Sequence, residues 1–600
     1  MNIVRSRGIY KYLSVFYMEN KKEHIAMNLI PIPKIIKTRD GFLKKKEINI
    51  LSFPEDVRIV NELKNFFIKD DGVSLEIIIR EGDSESYNLK IEEESIVITA
   101  NGNAGAFYAL QTLKQIFSDD DIPCCYIEDY PDFKYRGFYH DVTRGKIPKV
   151  ETVKKLIDDM AYYKLNSLQL YIEHTFDFAE YTDSLERTGY FTAEEIKEID
   201  SYCKMKFVEF IPSLATFGHL YELLQNEKYK HLREIEDFDT NEFYWENRMM
   251  HHTIDPTNEE SFEIIKSLID QYEVNFSSNK FNICCDETFD LKLGKHKDED
   301  TGKLYIEFVK KIVSYLHSKG KKVMMWADIL LNYPEQIDNL PANVELLNWY
   351  YWSSPNEKTF ETIRDSNITQ IVCPGTGSWL GFCEDYDTEI INISKMVEYG
   401  YKYGAEGVLN TNWGDWGNPC SIELAMFGLV TGAEKSWNVS TDIDEVYICR
   451  INKLLYKKAD ASKYIRRLAC CQLKTTWHNF SRCYANIIAE KQLYEVKFPT
   501  IEDVLFSINE CNAIIQSINN EEWEEDKFKN QILLAAQAIT IIAENLAILA
   551  GYNMKKSTDT SAWLKKHREL WLESNKESEL MQIEKVFMTI DHMTDMHMSN

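Results

Sequence analysis

The 600-residue sequence predicts an α/β protein built on a (β/α)8 TIM barrel, with an N-terminal α/β domain before it and an all-helical domain after it. Three observations predict this. Eight short apolar runs alternate with amphipathic helical patterns between about residues 131 and 438. Residues 27–130 carry period-two strand patterns and one helix. After about residue 439 the strand signals stop and only long helical periodicities remain.

Residues 1–26 hold basic and scattered apolar residues and read as a tail or upstream extension, with Met18 and Met27 as alternative starts. In 27–130, Val73–Arg80 and Ser95–Ala100 alternate as strands do, and Gly105–Phe117 has helical spacing. Tyr130-Pro131-Asp132 closes this unit, because proline restricts the residue before it.

The eight barrel strands are expected at Tyr135–Val142, Ser167–Ile172, Phe207–Leu214, Lys280–Asp286, Lys321–Trp326, Val344–Trp349, Thr369–Cys373 and Gly407–Trp413. Between the first two, Val150–Lys164 places Val153, Leu156, Ile157 and Met160 on one helical face. Thr192 and Glu195 form a capping box ahead of Ile196. Gly320 and Gly404 end helices just before a strand resumes. The C-terminal residues 439–600 include the helical patterns Ile501–Ile518 and Lys527–Ala550. Their apolar faces need cover from the barrel or from a second subunit, and a homodimer is expected.

Composition narrows the partners. With 69 basic and 96 acidic residues the net charge is −27, which argues against nucleic acid and against an anionic membrane surface. No run of ~18 apolar residues stands out, so no membrane span is expected. The thirteen cysteines include the adjacent pairs Cys124–Cys125, Cys284–Cys285 and Cys470–Cys471 but no Cys-x-x-Cys. The N-terminus lacks a continuous apolar stretch of the secretory kind. Free thiols in a reducing, cytoplasmic compartment are the expectation. His251–His252 has no carboxylate or cysteine at ligand spacing, so both histidines read as structural and no metal or cofactor is expected.

In barrels of this class the chemistry sits at the C-terminal ends of the strands. The first strand offers Arg136 near its start and Asp141 at its end. The third leads into His219, and the fourth runs into Asp286-Glu287. The fifth ends in Trp326-Ala327-Asp328 and the sixth in Trp349-Tyr350-Tyr351-Trp352. Trp379 follows the seventh, and the eighth ends Trp413-Gly414-Asp415. A carboxylate pair ringed by indoles describes a saccharide pocket, since pyranose C–H faces stack on aromatic rings. Each of these residues also has a plain structural reading. Arg136 alone reads best as a barrel-core charge paired with a neighbouring carboxylate, and at least one tryptophan is expected to serve only packing.

These residues together resemble family 20 of the glycoside hydrolases. The resemblance lies in Arg136-Gly137, Asp141-Val142-Thr143-Arg144 and Lys164-Leu165-Asn166 of the first βα unit. It continues in Phe217-Gly218-His219, Asp286-Glu287 and Trp413-Gly414-Asp415, and upstream in Gly105–Leu113. The helical tail is similar to that of a bacterial subgroup of three-domain exo-β-N-acetylglucosaminidases. The resemblance implies a retaining β-N-acetylhexosaminidase acting on a terminal β-linked N-acetylglucosamine or N-acetylgalactosamine of an oligosaccharide or glycoconjugate. It implies Glu287 as acid and base, Asp286 as orienter of the substrate's own acetamido nucleophile, Arg136 on the sugar 3- and 4-hydroxyls and Asp415 on the 4- and 6-hydroxyls. The sequence departs from the family in two places. Cys284-Cys285 stand where the family has Gly-Gly, and Ser378-Trp379-Leu380-Gly381 stand where it has Tyr-x-Asp. Tyr350, Tyr351, Tyr386 and the Trp379 N–H are the candidates for the missing hydroxyl. Two other functions compete: a retaining glycosidase with a protein nucleophile, and a non-catalytic sugar-binding protein on the same barrel.

Overall fold

Strand β1 (Ile35–Phe42) opens a six-stranded sheet completed by β2 (Ile48–Ile50), β3 (Val73–Ile79), β4 (Tyr87–Ile91), β5 (Ser95–Ala100) and β6 (Pro123–Asp129). The computed structural model describes residues 27–599 except 83, 182–188, 237–244, 246–247, 249–251, 459 and 490–495. The sheet order is β1-β6-β4-β5-β3-β2. The helix Asn103–Ile116 buries its apolar face against this sheet.

Eight parallel strands then close into a barrel. They are β7 (Tyr135–Asp141), β8 (Ser167–Ile172), β9 (Glu209–Leu214), β10 (Lys280–Asn282), β11 (Lys322–Trp326), β12 (Val344–Trp349), β13 (Thr369–Cys373) and β14 (Gly407–Asn412). Ring closure runs through β14 to β7, where Gly407 pairs with Tyr135 and Asn412 with His140. The helix Val150–Tyr162 lies on the barrel with Val153, Leu156, Ile157 and Met160 buried. Each such burial stabilises by roughly 1.5–3 kcal/mol. The capping box is formed as the sequence predicts, with Thr192 accepting from the Glu195 N–H and Glu195 reaching back to the Thr192 N–H.

Strand β10 differs from expectation. It stops at Asn282, four residues before Asp286, because Cys284 (φ 56°) and Cys285 (φ 62°) take the left-handed conformation. A strand cannot continue through that region of backbone space. The Asn282 side chain bends back to accept from the Cys284 N–H at 2.9 Å and holds the turn.

The C-terminal helices share one hydrophobic core with the barrel. Phe382, from the loop after β13, meets Trp477, Trp563 and Phe587 of those helices edge-on. The helix Asp526–Leu549 corrects one sequence reading. It is long and apolar enough to cross a membrane, with mean hydropathy 2.0, but 83% of that window is buried inside the protein. That is the setting of a core helix.

Candidate active site

The C-terminal ends of the strands converge on Asp286 and Glu287. The turn at 283–287 carries both, and left-handed backbone recurs at Glu287 (φ 50°). The loop after β9 lies directly against this turn. A Cβ on Gly218 would come 2.5 Å from the Asp286 carbonyl oxygen, so only glycine lets the two segments approach. Thr216 Oγ1 donates to the Ile283 carbonyl at 2.6 Å, and the Tyr305 hydroxyl donates to the Cys285 carbonyl at 2.8 Å. The next residue after Gly218 is His219, itself left-handed (φ 58°).

His219 is the hub. Its Nε2 lies 3.2 Å from Asp286 Oδ2 and 3.5 Å from Glu287 Oε2. Burial alone would depress its pKa, but Asp286, by charge and hydrogen bond, and Glu287, by hydrogen bond, lift it to about 10 against the opposing charge of Arg144. The ring is therefore an imidazolium at neutral pH. Its Nδ1 faces Arg144 Nη2 at 3.4 Å and Glu173 Oε1 at 3.9 Å. The Arg144 contact is within hydrogen-bond distance, and Glu173 stands at ion-pair distance.

Arg144 replaces Arg136 as the arginine of the site. Arg136 sits at the start of β7, at the far end of the barrel. There it grips Glu85 of the N-terminal domain with two prongs, Nη1–Oε2 2.6 Å and Nη2–Oε1 3.1 Å, and donates from Nε to the Lys164 carbonyl. It fastens the two domains together and is corrected to that role. Arg144, in the loop after β7, is buried among Asp141, Glu173 and Asp415 and forms a short ion pair with Asp415. Asp141 ties the first and eighth loops together, accepting from the Thr143, Arg144 and Gly414 N–H groups.

Aromatic rings wall the rest. Trp413 packs on Tyr139, Tyr171 and Trp326 with centroids 5.1, 5.1 and 5.8 Å away. Trp349 stacks on Tyr351 at 4.9 Å and 21°, and Trp379 meets Tyr351 at 5.2 Å. Of the four predicted tryptophans, Trp326 is 1% exposed and lies under the pocket rather than on its surface. The Tyr351 hydroxyl accepts from Trp413 Nε1–H at 2.7 Å and feels the charge of Asp286. Tyr386 lies elsewhere, stacked on Phe427 and bonded through its hydroxyl to Tyr456. Tyr350 packs into an apolar cluster outside the barrel. Tyr351 is thus the candidate hydroxyl that faces the pair.

Asp286 and Glu287 differ in environment. The Asp286 side chain is 10% exposed and that of Glu287 27%. Oδ1 of Asp286 is buried with no hydrogen-bond partner among the described residues. Behind the pair lies Asp328, one residue past the Trp326-Ala327 end of β11, whose Oδ2 accepts from the Glu287 N–H at 3.0 Å.

Two sets of metal-type donors occur among the described residues: His219 with Asp286 and Glu287, and Glu234 with Asp255 and His296. In the first, the imidazolium itself supplies the positive charge. In the second, Glu234 accepts from the His296 main-chain N–H (2.8 Å) and Nδ1 (2.7 Å), while Asp255 accepts from Thr257 and meets Lys295. Those bonds staple a loop. Of the paired histidines, His251 lies outside the described residues. His252 is buried against Tyr221, and burial, with Arg233 acting the same way, pushes its pKa down to about 3.

Two family models match the chain. Residues 133–415 match the model of the glycosyl hydrolase family 20 catalytic domain, and residues 26–130 match that of family 20 domain 2. A β-hexosaminidase of Porphyromonas gingivalis is 24% identical over 360 residues, 51% of this chain and 46% of that protein. Human hexosaminidase D is 26% identical over 232 residues, 36% of this chain and 45% of that protein. The chain thus spans less than half the length of either relative. The solved chitobiase of Flavobacterium johnsoniae shares the fold, with a TM-score of 0.57 and 18% identity over 94% of this chain and 99% of that one.

Proposed function

The chain belongs to glycosyl hydrolase family 20, and on that premise we propose that it is an exo-acting, retaining β-N-acetylhexosaminidase. Its substrate is a glycan or glycoconjugate ending in β-linked N-acetylglucosamine, with N-acetylgalactosamine the second sugar to test. One observation carries the reading. Asp286 and Glu287 stand side by side on one cationic histidine, the outer one more exposed and the inner one with a bare buried oxygen.

Glu287 protonates the glycosidic oxygen and later draws the proton from water. The acetamido oxygen of the substrate attacks the anomeric carbon from the opposite face, and the sugar–oxygen bond breaks. Asp286 Oδ1 accepts from the acetamido N–H and stabilises the oxazolinium that results. Tyr351 supports the acetamido oxygen in place of the family tyrosine. Arg144 and Asp415 bind sugar hydroxyls, and Trp349, Trp379 and Trp413 bound the ring. Family 20 is already set apart from the two-carboxylate scheme for this reason.

A protein nucleophile is disfavoured by the seventh strand. β13 is followed by Pro374, Gly375 and Thr376, and the next carboxylate, Glu384, turns away to accept from the Phe427 and Gly428 N–H groups. Free thiols at all thirteen cysteines support a reducing compartment, and a cytoplasmic location is proposed on that basis. The deciding experiment is hydrolysis of a chromogenic β-N-acetylglucosaminide. Turnover that fails with a β-glucoside supports the reading. No turnover on any β-N-acetylhexosaminide sinks it and leaves a sugar-binding protein.

A further inference from the structure

The corner behind Glu287 holds a third carboxyl group that the reaction above does not use. Asp328 is half-buried; its Oδ2 accepts the Glu287 N–H at 3.0 Å, and its buried Oδ1 has no hydrogen-bond partner among the described residues. The residue it holds is in the left-handed conformation, which costs a non-glycine residue free energy and must be enforced by its surroundings.

We propose that Asp328 is a positioning residue: it fixes the main chain of Glu287 so that the carboxyl group points at the leaving oxygen. The inference rests on the hexosaminidase reading. The charge state follows from the neighbours. From the preceding turn come Asp286, Glu287 and the Cys285 thiol; from the helix Thr301–Ser318 comes the Tyr305 hydroxyl; from β12 comes the Trp349 indole. The two carboxylates among these share its sign, and none of the five is a cation. Burial, then the charges of Asp286 and Glu287, push its pKa up to about 8, while the hydrogen bond from the Glu287 N–H pulls the other way. A neutral acid leaves the imidazolium of His219 to the catalytic pair alone.

The test uses the full chain and two substitutions, Asp328→Ala and Asp328→Asn, assayed on two substrates. One is a dinitrophenyl β-N-acetylglucosaminide, whose leaving group needs little protonation. The other is a β-linked N-acetylglucosamine disaccharide, whose leaving group needs full protonation. Asp328→Ala removes the anchor, so kcat on the disaccharide is expected to fall at least tenfold more than kcat on the aryl glycoside, with KM changed little. Asp328→Asn keeps an acceptor and no charge, and is expected to recover most of that loss. Equal losses on both substrates in Asp328→Ala would mean a general packing defect and overturn the positioning role. Asp328→Asn as damaged as Asp328→Ala would overturn the neutral form. If Asp328→Ala does not fold, the substrate ratio in Asp328→Asn decides: a ratio near that of the unaltered protein supports the inference and a collapsed one refutes it. Absence of turnover in the unaltered protein would remove the functional reading itself, which is a separate outcome.

Discussion

Lysine at position 144 and, separately, lysine at position 136 distinguish the two arginines that bracket the first barrel strand. Arg144 meets Asp415, Glu173 and His219 with different nitrogens of one planar group. A lysine ammonium keeps the charge beside these acids but cannot span all of them and still present a donor to a sugar hydroxyl. Loss of one charge-assisted hydrogen bond in a buried site costs about 1.5–3 kcal/mol. At 1.36 kcal/mol per decade this is roughly a 10- to 150-fold fall in kcat/KM. Arg136 stands at the other end of the barrel, where lysine loses the two-pronged grip on Glu85. The same bond energy then appears as stability, about 1.5–3 kcal/mol or a few degrees in Tm. Its kcat/KM should stay within about twofold of the parent. Steady-state kinetics on an aryl β-N-acetylglucosaminide and thermal melts of both variants read the two effects. A loss of activity in Arg136→Lys at unchanged Tm, with Arg144→Lys fully active, would refute the assignment.

Glu287→Gln removes the transferable proton and should lower kcat about 100- to 10,000-fold on poor leaving groups, with a much smaller loss on a dinitrophenyl glycoside; equal losses would take Glu287 out of the acid role. A thiazoline mimic of the oxazolinium should inhibit competitively and at least 100-fold more tightly than free N-acetylglucosamine. A mimic that binds no better than the sugar would rule out acetamido attack. Stability should fall as pH rises from 5 to 10. His219, held protonated to about 10, gives stability that is full below pH ~6.5 and lost as pH climbs through its folded value, and Asp328 and Glu384, which burial lifts to about 8, cost stability from about pH 4 to about 8, where the unfolded chain ionises them and the fold holds them protonated. A Tm that is flat or rising over that range contradicts this. The expected homodimer is checked by light scattering at micromolar concentration, where a mass of one chain ends the idea.

The sequence located the barrel well for a physical reason. β8, β12 and β13 match their predicted limits because each is an apolar, buried run between clear turn residues. It chose the wrong arginine although the deciding rule was at hand. Arg136 and Asp141 lie five residues apart on one strand, about 17 Å at a strand's rise per residue. A residue at the strand's start therefore cannot share a pocket with one at its end. The motif Asp141-Val142-Thr143-Arg144 already held the arginine that follows the strand. Glu173 and Asp328 were legible in the same way, each immediately past a strand, but nothing in their neighbours marked them as more than loop acids. Tyr351 was one of four candidates for the acetamido oxygen, and the sequence could not say which of the adjacent Tyr350 and Tyr351 turns inward. Alternation gives two faces, not the choice between them, once a strand has ended.

The fourth strand shows what apolar pattern conceals. Ile283, Cys284 and Cys285 continue the buried run of β10, so periodicity extends the strand to Asp286. The backbone instead leaves the strand at Cys284, and left-handed φ recurs at Cys285, Glu287 and the facing His219. Such residues cost about 1–3 kcal/mol each unless the surroundings enforce them. Here Asn282, Thr216, Tyr305 and Asp328 each spend a hydrogen bond on this turn. A straight strand would point Asp286 and Glu287 to opposite faces of the sheet, since alternate residues do. Curling the chain is what lets two adjacent carboxylates meet one imidazolium. Gly-Gly, which the family resemblance implies at this place, would be the cheap way to make that curl. Cys284-Cys285 makes it with buried thiols, at a cost in backbone strain that the four hydrogen bonds offset.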